Sequence, residues 1–263
     1  MAHPNGMFSW TDISLADVSA GKEFYQQLFG WESVEQHDPD GNLIYVLFSK
    51  DGDLAAGMGP MPPEMQAAGF PPMWQSYVSV DSVDDVGATV IAAGGSEVLP
   101  AVDVYDSGRM AILADPTGAV FSIWQAGNHA GADRFNDPGF MTWNELATRD
   151  ADAAQRFYGE VFGWTAQTDE MPTGMLYTMF SNGDRPNGGM LAMDENWPAE
   201  IPAHWMVYFR VGDIDEALGE LTALGGSISV EPFDTPAGRT AVVGDPQGGT
   251  FSIIGPALET PTG

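Results

Sequence analysis

No cysteine occurs in the 263 residues, which removes disulfides, thiolate nucleophiles and cysteine-bound zinc from consideration while leaving the redox compartment open. Basic residues are nearly as scarce: Lys and Arg total 9 against 37 Asp and Glu, and Lys22 and Lys50 are the only lysines. The formal net charge of −28 repels phosphate backbones and anionic bilayers, so neither nucleic acid nor a membrane is expected as a partner. No apolar run reaches the roughly 18 residues a membrane-crossing helix needs. The opening Met-Ala-His-Pro-Asn-Gly lacks the basic and apolar regions of an export signal, and the expected location is cytoplasmic. With 44% apolar residues, the chain is long enough to bury one or two sizeable cores.

What is present in quantity is repetition. Trp10, Asp17, Phe24, Tyr25, Phe29, Gly30 and Trp31 recur as Trp143, Asp150, Phe157, Tyr158, Phe162, Gly163 and Trp164, always 133 residues later. A constant spacing through strand, helix cap, helix and stop is the mark of duplication. Further on, Tyr45, Phe48, Gly57 and Met58 match Tyr177, Phe180, Gly189 and Met190 at 132 residues. Trp74 and Tyr77 match Trp205 and Tyr208 at 131, and Arg109 matches Arg239 at 130. Spacings change only in loops.

Each copy reads as strand, capped helix and three strands, and the order then begins again within the copy. Asp17 and Asp150 start helices that stop at Gly30 and Gly163. Residues 42–49 and 54–59 alternate as strands around the turn at Asp51 and Gly52, and Pro60 to Pro72 is expected to be loop. The next strand opens at Trp74, a helix follows Ser82 and ends at Gly94, and three strands follow, with Asp115-Pro-Thr-Gly118 turning into the last. The expectation is an α+β fold of four βαβββ units, A to D. They form modules over 1–127 and 139–263, with a linker over 128–138.

These motifs, an Asp opening the first helix, Phe-Tyr within it, Phe-Gly-Trp after it and Asp-Pro-x-Gly before the last strand, resemble the vicinal oxygen chelate superfamily of glyoxalases, bleomycin-resistance proteins and extradiol dioxygenases. Trp-x-Asp/Glu, Pro-Pro-x-Trp and Gly-Arg narrow the resemblance to a tandem two-module actinobacterial subgroup. It implies paired units curving into cups, with metal ligands at defined strand positions. Those positions hold Trp10 or Trp143, Gln75 or Met206, Ser122 or Ser252, and Gly57 or Gly189 in this chain. An indole N–H cannot bind a cation, and Ser and Met are poor ligands for a hard ion. No resident cofactor or metal ligand is therefore expected, although a divalent metal is left open.

Two strand carboxylates stand beside the displaced ligand positions. Asp12 follows Trp10, and Glu145 follows Trp143, by two residues, which puts each pair on one strand face. A carboxylate against indole in a partly dry site is a candidate general base; it can equally cap backbone or pair with Arg109 or Arg239. His204 is the third catalytic candidate, for acid–base work or as a satisfied polar rim residue, whereas His3 and His37 read as solvated and His129 as a linker contact. Candidate binding residues are Trp10, Trp143, Trp74, Gln75, Tyr77, Trp124, Trp205 and Tyr208, whose rings serve equally as core. Arg109 and Arg239 join them, for an anionic or carbonyl group.

Two functions follow. One is a glyoxalase-like lyase or isomerase acting on a small carbonyl compound such as an α-ketoaldehyde, moving a proton through Asp12 or Glu145. The other is a binding protein of the bleomycin-resistance type that holds an aromatic natural product between indoles. A monomer or weak homo-oligomer is expected, because duplication already supplies a symmetric interface and net charge opposes further packing.

Overall fold

Asp17 and Asp150 do the same work in the two copies, and the helices they begin set the frame. In the computed structural model, which describes residues 2–171 and 174–257, α1 (Val18–Phe29) starts where the Asp17 carboxylate accepts from the Ala20 N–H at 3.0 Å. Helix α4 (Ala151–Phe162) starts with the same bond from Ala153 N–H to Asp150, also 3.0 Å. Both end on a glycine in the left-handed region, Gly30 at φ 68° and Gly163 at φ 71°, a conformation that costs a residue with a Cβ.

In unit A, β1 (Phe8–Leu15) precedes α1, and β2 (Glu32–His37), β3 (Leu43–Lys50) and β4 (Asp53–Pro60) follow it. A short helix α2 (Pro63–Ala67) stands in the stretch expected to be loop, started by Pro63 in the first turn, where its missing N–H costs nothing. Unit B comprises β5 (Trp74–Ser79), α3 (Val83–Ala92), β6 (Ser96–Val104), β7 (Gly108–Ala114) and β8 (Val120–Ala126). Unit C has β9 (Met141–Thr148), α4, β10 (Thr165–Glu170), β11 (Leu176–Asn182) and β12 (Arg185–Ala192). Unit D has β13 (His204–Arg210), α5 (Ile214–Ala223), β14 (Ser227–Thr235), β15 (Gly238–Gly244) and β16 (Thr250–Ile254).

The strands make two open eight-stranded sheets with orders β2-β3-β4-β1-β5-β8-β7-β6 and β10-β11-β12-β9-β13-β16-β15-β14. Within each unit the first and last strands run parallel, as Asp12 opposite Gly57 and Glu145 opposite Gly189 show. The architecture is α+β with four βαβββ units. No helix among the described residues is long and apolar enough to cross a membrane.

Packing divides the chain differently from the repeats. One compact unit joins Gln75–Gly131 with Trp143–Met206 and the residues up to Trp10. The other joins Thr11–Trp74, Ala132–Thr142 and the described residues from Val207 on. In the first, the Tyr158 hydroxyl receives the Trp205 indole N–H at 2.7 Å and donates to Asp115 at 2.9 Å, with Trp164 stacked at 5.4 Å. In the second, Tyr25 receives from Trp74 at 3.1 Å and donates to Asp245 at 2.7 Å. Each aspartate also caps its own turn, Asp115 accepting from the N–H groups of Thr117 and Ala119 and Asp245 from those of Gln247 and Gly249. Buried polar groups so paired stop being a penalty. Burial, then the neighbouring aspartate charge, pushes both tyrosine hydroxyls well above their ordinary range.

Candidate functional site

The strand face turned away from α4 carries the first cluster. On β9, Leu146 is fully buried while Trp143 and Glu145, on the opposite face, are half-buried. β11 alternates likewise: Phe180 is buried against Tyr158, and Tyr177 and Met179 face the other way. The register sets Met179 opposite Gly189 and Gly189 opposite Glu145. Tyr177 is thereby brought to Glu145, to which its hydroxyl is hydrogen-bonded, and it also receives the Trp143 indole N–H at 2.9 Å.

Gly189 makes this closure possible. A Cβ at that position would overlap the Tyr177 hydroxyl and come within 2.9 Å of Trp143 Nε1. The other compact unit repeats the device: the Tyr45 hydroxyl donates to Asp12 Oδ2 at 2.8 Å, and a Cβ at Gly57 would overlap that hydroxyl. Desolvation and then the Glu145 charge drive the Tyr177 hydroxyl far above its ordinary value, with the Trp143 N–H opposing. Tyr177 therefore stays protonated and presents an O–H, and Glu145 presents a proton acceptor beside it.

The donor set does not suit a metal. The space a longer side chain would need at Gly57 or Gly189 is filled by a tyrosine oxygen, and Trp143 spends its N–H on Tyr177. Ser122 and Ser252 are fully buried with no hydrogen-bond partner for Oγ, paired in register with Tyr77 and Tyr208. Among the described residues no group of three or more His, Asp or Glu side chains is arranged to hold an ion.

The remaining expected site residues fall into separate groups. Trp10, Tyr77 and Trp124 gather around His129: its ring lies 4.5 Å from Trp10 and 5.8 Å from Trp124, which is 6.4 Å from Tyr77. The Trp124 N–H binds the His129 carbonyl at 2.9 Å, so the linker histidine closes an aromatic cluster. Gln75 is half-buried and shares a strand face with Tyr77, and Tyr208 is half-buried on β13. Trp74 and Trp205 are buried, with their N–H groups held by Tyr25 and Tyr158. Arg109 is bound by Asp84 at 2.9 Å and Asp103 at 2.8 Å, and Arg239 lies 3.9 Å from Asp215, so both guanidiniums reach the first turn of a helix, α3 or α5. His204 Nδ1 meets the Pro202 carbonyl at 2.9 Å.

Tyr45 and Tyr177 were not among the expected site residues. Their signal was present: both recur at the spacing that keeps Gly57 and Gly189 in step. Strand pairing alone reveals that tyrosine and glycine meet beside the acid.

A family model for the Glyoxalase/Bleomycin resistance protein/Dioxygenase superfamily matches residues 8–123 and 132–253. The chain is 41% identical over 253 residues to "Putative glyoxylase CFP32" of Mycobacterium tuberculosis, covering 96% of this chain and 95% of that one. It is 36% identical over 259 residues to "Anthracycline biosynthesis protein DnrV" of Streptomyces peucetius, covering 95% and 93%. In fold it is similar to the Mn(II)-bound glyoxalase from Novosphingobium aromaticivorans, with TM-score 0.63, 17% identity and coverage of 97% and 85%. The 2,3-dioxygenase LapB from Pseudomonas sp. KL28 matches at TM-score 0.63 and 14% identity, covering 98% and 95%.

Proposed function

The chain belongs to the Glyoxalase/Bleomycin resistance protein/Dioxygenase superfamily, and from that premise we propose that it acts on a small carbonyl compound of the α-ketoaldehyde type by proton transfer at Glu145 and Tyr177, without a divalent metal. The observation that carries the reading is the hydrogen-bonded sequence Trp143, Tyr177, Glu145, closed over Gly189. Water added to the aldehyde turns its carbon into a carbinol next to the ketone; Glu145 takes the proton from that carbon, the C–H pair moves into the enediolate, and the Tyr177 O–H turns from Glu145 to the developing oxygen charge. The Trp143 N–H supports the tyrosine oxygen throughout. Return of the proton to the neighbouring carbon completes an isomerisation in which nothing is oxidised or reduced overall.

Exchange of carbon-bound protons in D2O, followed by NMR over a panel of α-ketoaldehydes and α-hydroxyketones, tests the proposal. Glu145→Gln keeps size and removes the acceptor, so exchange should fall by roughly two to four orders of magnitude, with ligand affinity nearly unchanged. Undiminished exchange in folded Glu145→Gln and Asp12→Asn variants would remove the catalytic reading.

A second reading, sequestration of an aromatic compound, is favoured by Met175 and Met179. They are 42% and 41% exposed, and Met179 lies on the strand face of Tyr177; flexible apolar side chains suit a large flat ligand. The relative named for anthracycline biosynthesis agrees with such a ligand. On this reading the carboxylate variants matter little, and Trp143→Ala weakens binding by about 1–3 kcal/mol.

A further inference from the structure

We propose that the groove between α3 and β6 is a second binding site, for a small amphiphilic organic cation of the arylalkylammonium class, and that only one of the two copies of this half-module has it. The internal duplication acts as the control. At the spacing of 131 residues that joins Trp74 to Trp205 and Gly94 to Gly225, Gly87 stands where Leu218 stands, Glu97 where Ile228 stands, and Ala101 where Pro232 stands. Leu218 on α5 is buried at 7% exposure and Ile228 on β14 is half-buried. In the other copy a Cβ at Gly87 would meet nothing within 4 Å. A cavity of about 220 Å³ opens there, lined by Val83, Ile91, Ala111 and Leu113 with Asp84 and Glu97 among its polar neighbours.

Size and charge select the ligand. The hollow is half-open and its accessible walls are about equally polar and apolar, so at about 220 Å³ it has room for one ring with a short arm that carries the polar group. Asp84 is engaged by Arg109, whose guanidinium is shared with Asp103. The Glu97 carboxylate, on an exposed residue of β6, has no ion pair among the described residues. Two carboxylates already offset the one guanidinium, and Glu97 adds a charge that only an incoming cation would pair. A neutral ligand gains the apolar walls alone, and an anion is opposed by the rim and by the whole acidic chain.

The test is a methyl NMR titration of the full chain with 2-phenylethylamine, 2-phenylethanol and 3-phenylpropionate. The amine should shift the Val83 and Leu113 methyls saturably, the alcohol should bind about fivefold more weakly, as a partly exposed ion pair allows, and the carboxylate should not bind. Gly87→Leu copies the residue at 218 and improves helix propensity, so it should keep Tm and proton exchange while weakening the amine more than about tenfold. Glu97→Gln should erase the preference of amine over alcohol, and it carries the test if Gly87→Leu unfolds. Unchanged amine binding in folded Gly87→Leu, preference for the carboxylate, or the absence of saturable shifts in the wild-type chain would each overturn the proposal.

Discussion

Gly189 shows how little space the acid–tyrosine pair leaves. Adding one methyl there, Gly189→Ala, sets a Cβ against the Tyr177 hydroxyl, and the ring must swing away from Glu145. Such overpacking costs about 1–3 kcal/mol, which urea titration would read, and proton exchange should fall with it. Tyr177→Phe separates the two effects: the ring stays, the O–H is lost, and exchange should fall by about two to three orders of magnitude, the value of a single donor to a developing oxyanion. Retained exchange in Tyr177→Phe would leave Glu145 acting alone. The residue-level reading of the sequence reached Glu145, Asp12, Trp10 and Trp143, because a period of two already places them on strand faces. It did not reach Tyr177 or Tyr45, because their partners stand more than thirty residues away in sequence and meet them only through pairing register.

Among the elements, the helices were the most legible, since caps and stops are local chemistry. Asp150→Ala removes the acceptor for the Ala153 N–H and should lower stability by about 1 kcal/mol, measured by chemical denaturation. Asp17→Ala should cost more. The Asp17 backbone is also clasped by Gln247, which accepts its N–H at 2.9 Å and donates to its carbonyl at 2.8 Å, so fraying at this cap loosens a second contact. Equal losses at the two caps would show that the Gln247 clasp contributes nothing. α2 was illegible for the opposite reason: five residues between prolines carry no periodicity, and only Pro63 at the first helical position hints at it.

For the whole molecule, the two buried tyrosines set an upper limit on pH. The Tyr25 and Tyr158 hydroxyls are held well above the ordinary tyrosine value by burial and by Asp245 and Asp115. A group raised in the folded state contributes stability that is complete below its unfolded value, near 10, and is lost as pH climbs beyond it. The urea midpoint should therefore fall steeply above about pH 10, and Tyr158→Phe should flatten that fall while lowering stability at neutral pH through the unpaired Asp115. A midpoint independent of pH up to 11.5 would contradict this. Sedimentation at micromolar concentration should find a monomer or weakly associating species, since the net charge of −28 repels a second copy; an obligate dimer would overturn that expectation.

Local chemistry and repetition were sufficient, read from the amino acids alone, for the α+β class, the four βαβββ units, the limits of the longer helices and the family, because each rests on spacing, capping and turn residues that act within a few positions. Tertiary structure decided which repeated residues serve the core and which face outward. Phe-Tyr and Asp-Pro-x-Gly mark the family in sequence and Trp74 and Trp205 read there as candidate binding residues, yet Tyr158, Trp205 and Asp115 close one buried hydrogen-bonded network and Tyr25, Trp74 and Asp245 another. Gly57 and Gly189 look like loss of a ligand, yet each makes room for a tyrosine hydroxyl beside an acid. The physical reason is one of range: a cap or a turn is satisfied by its neighbours, whereas a buried hydroxyl is satisfied only by whatever the sheets and helices bring against it from far along the chain.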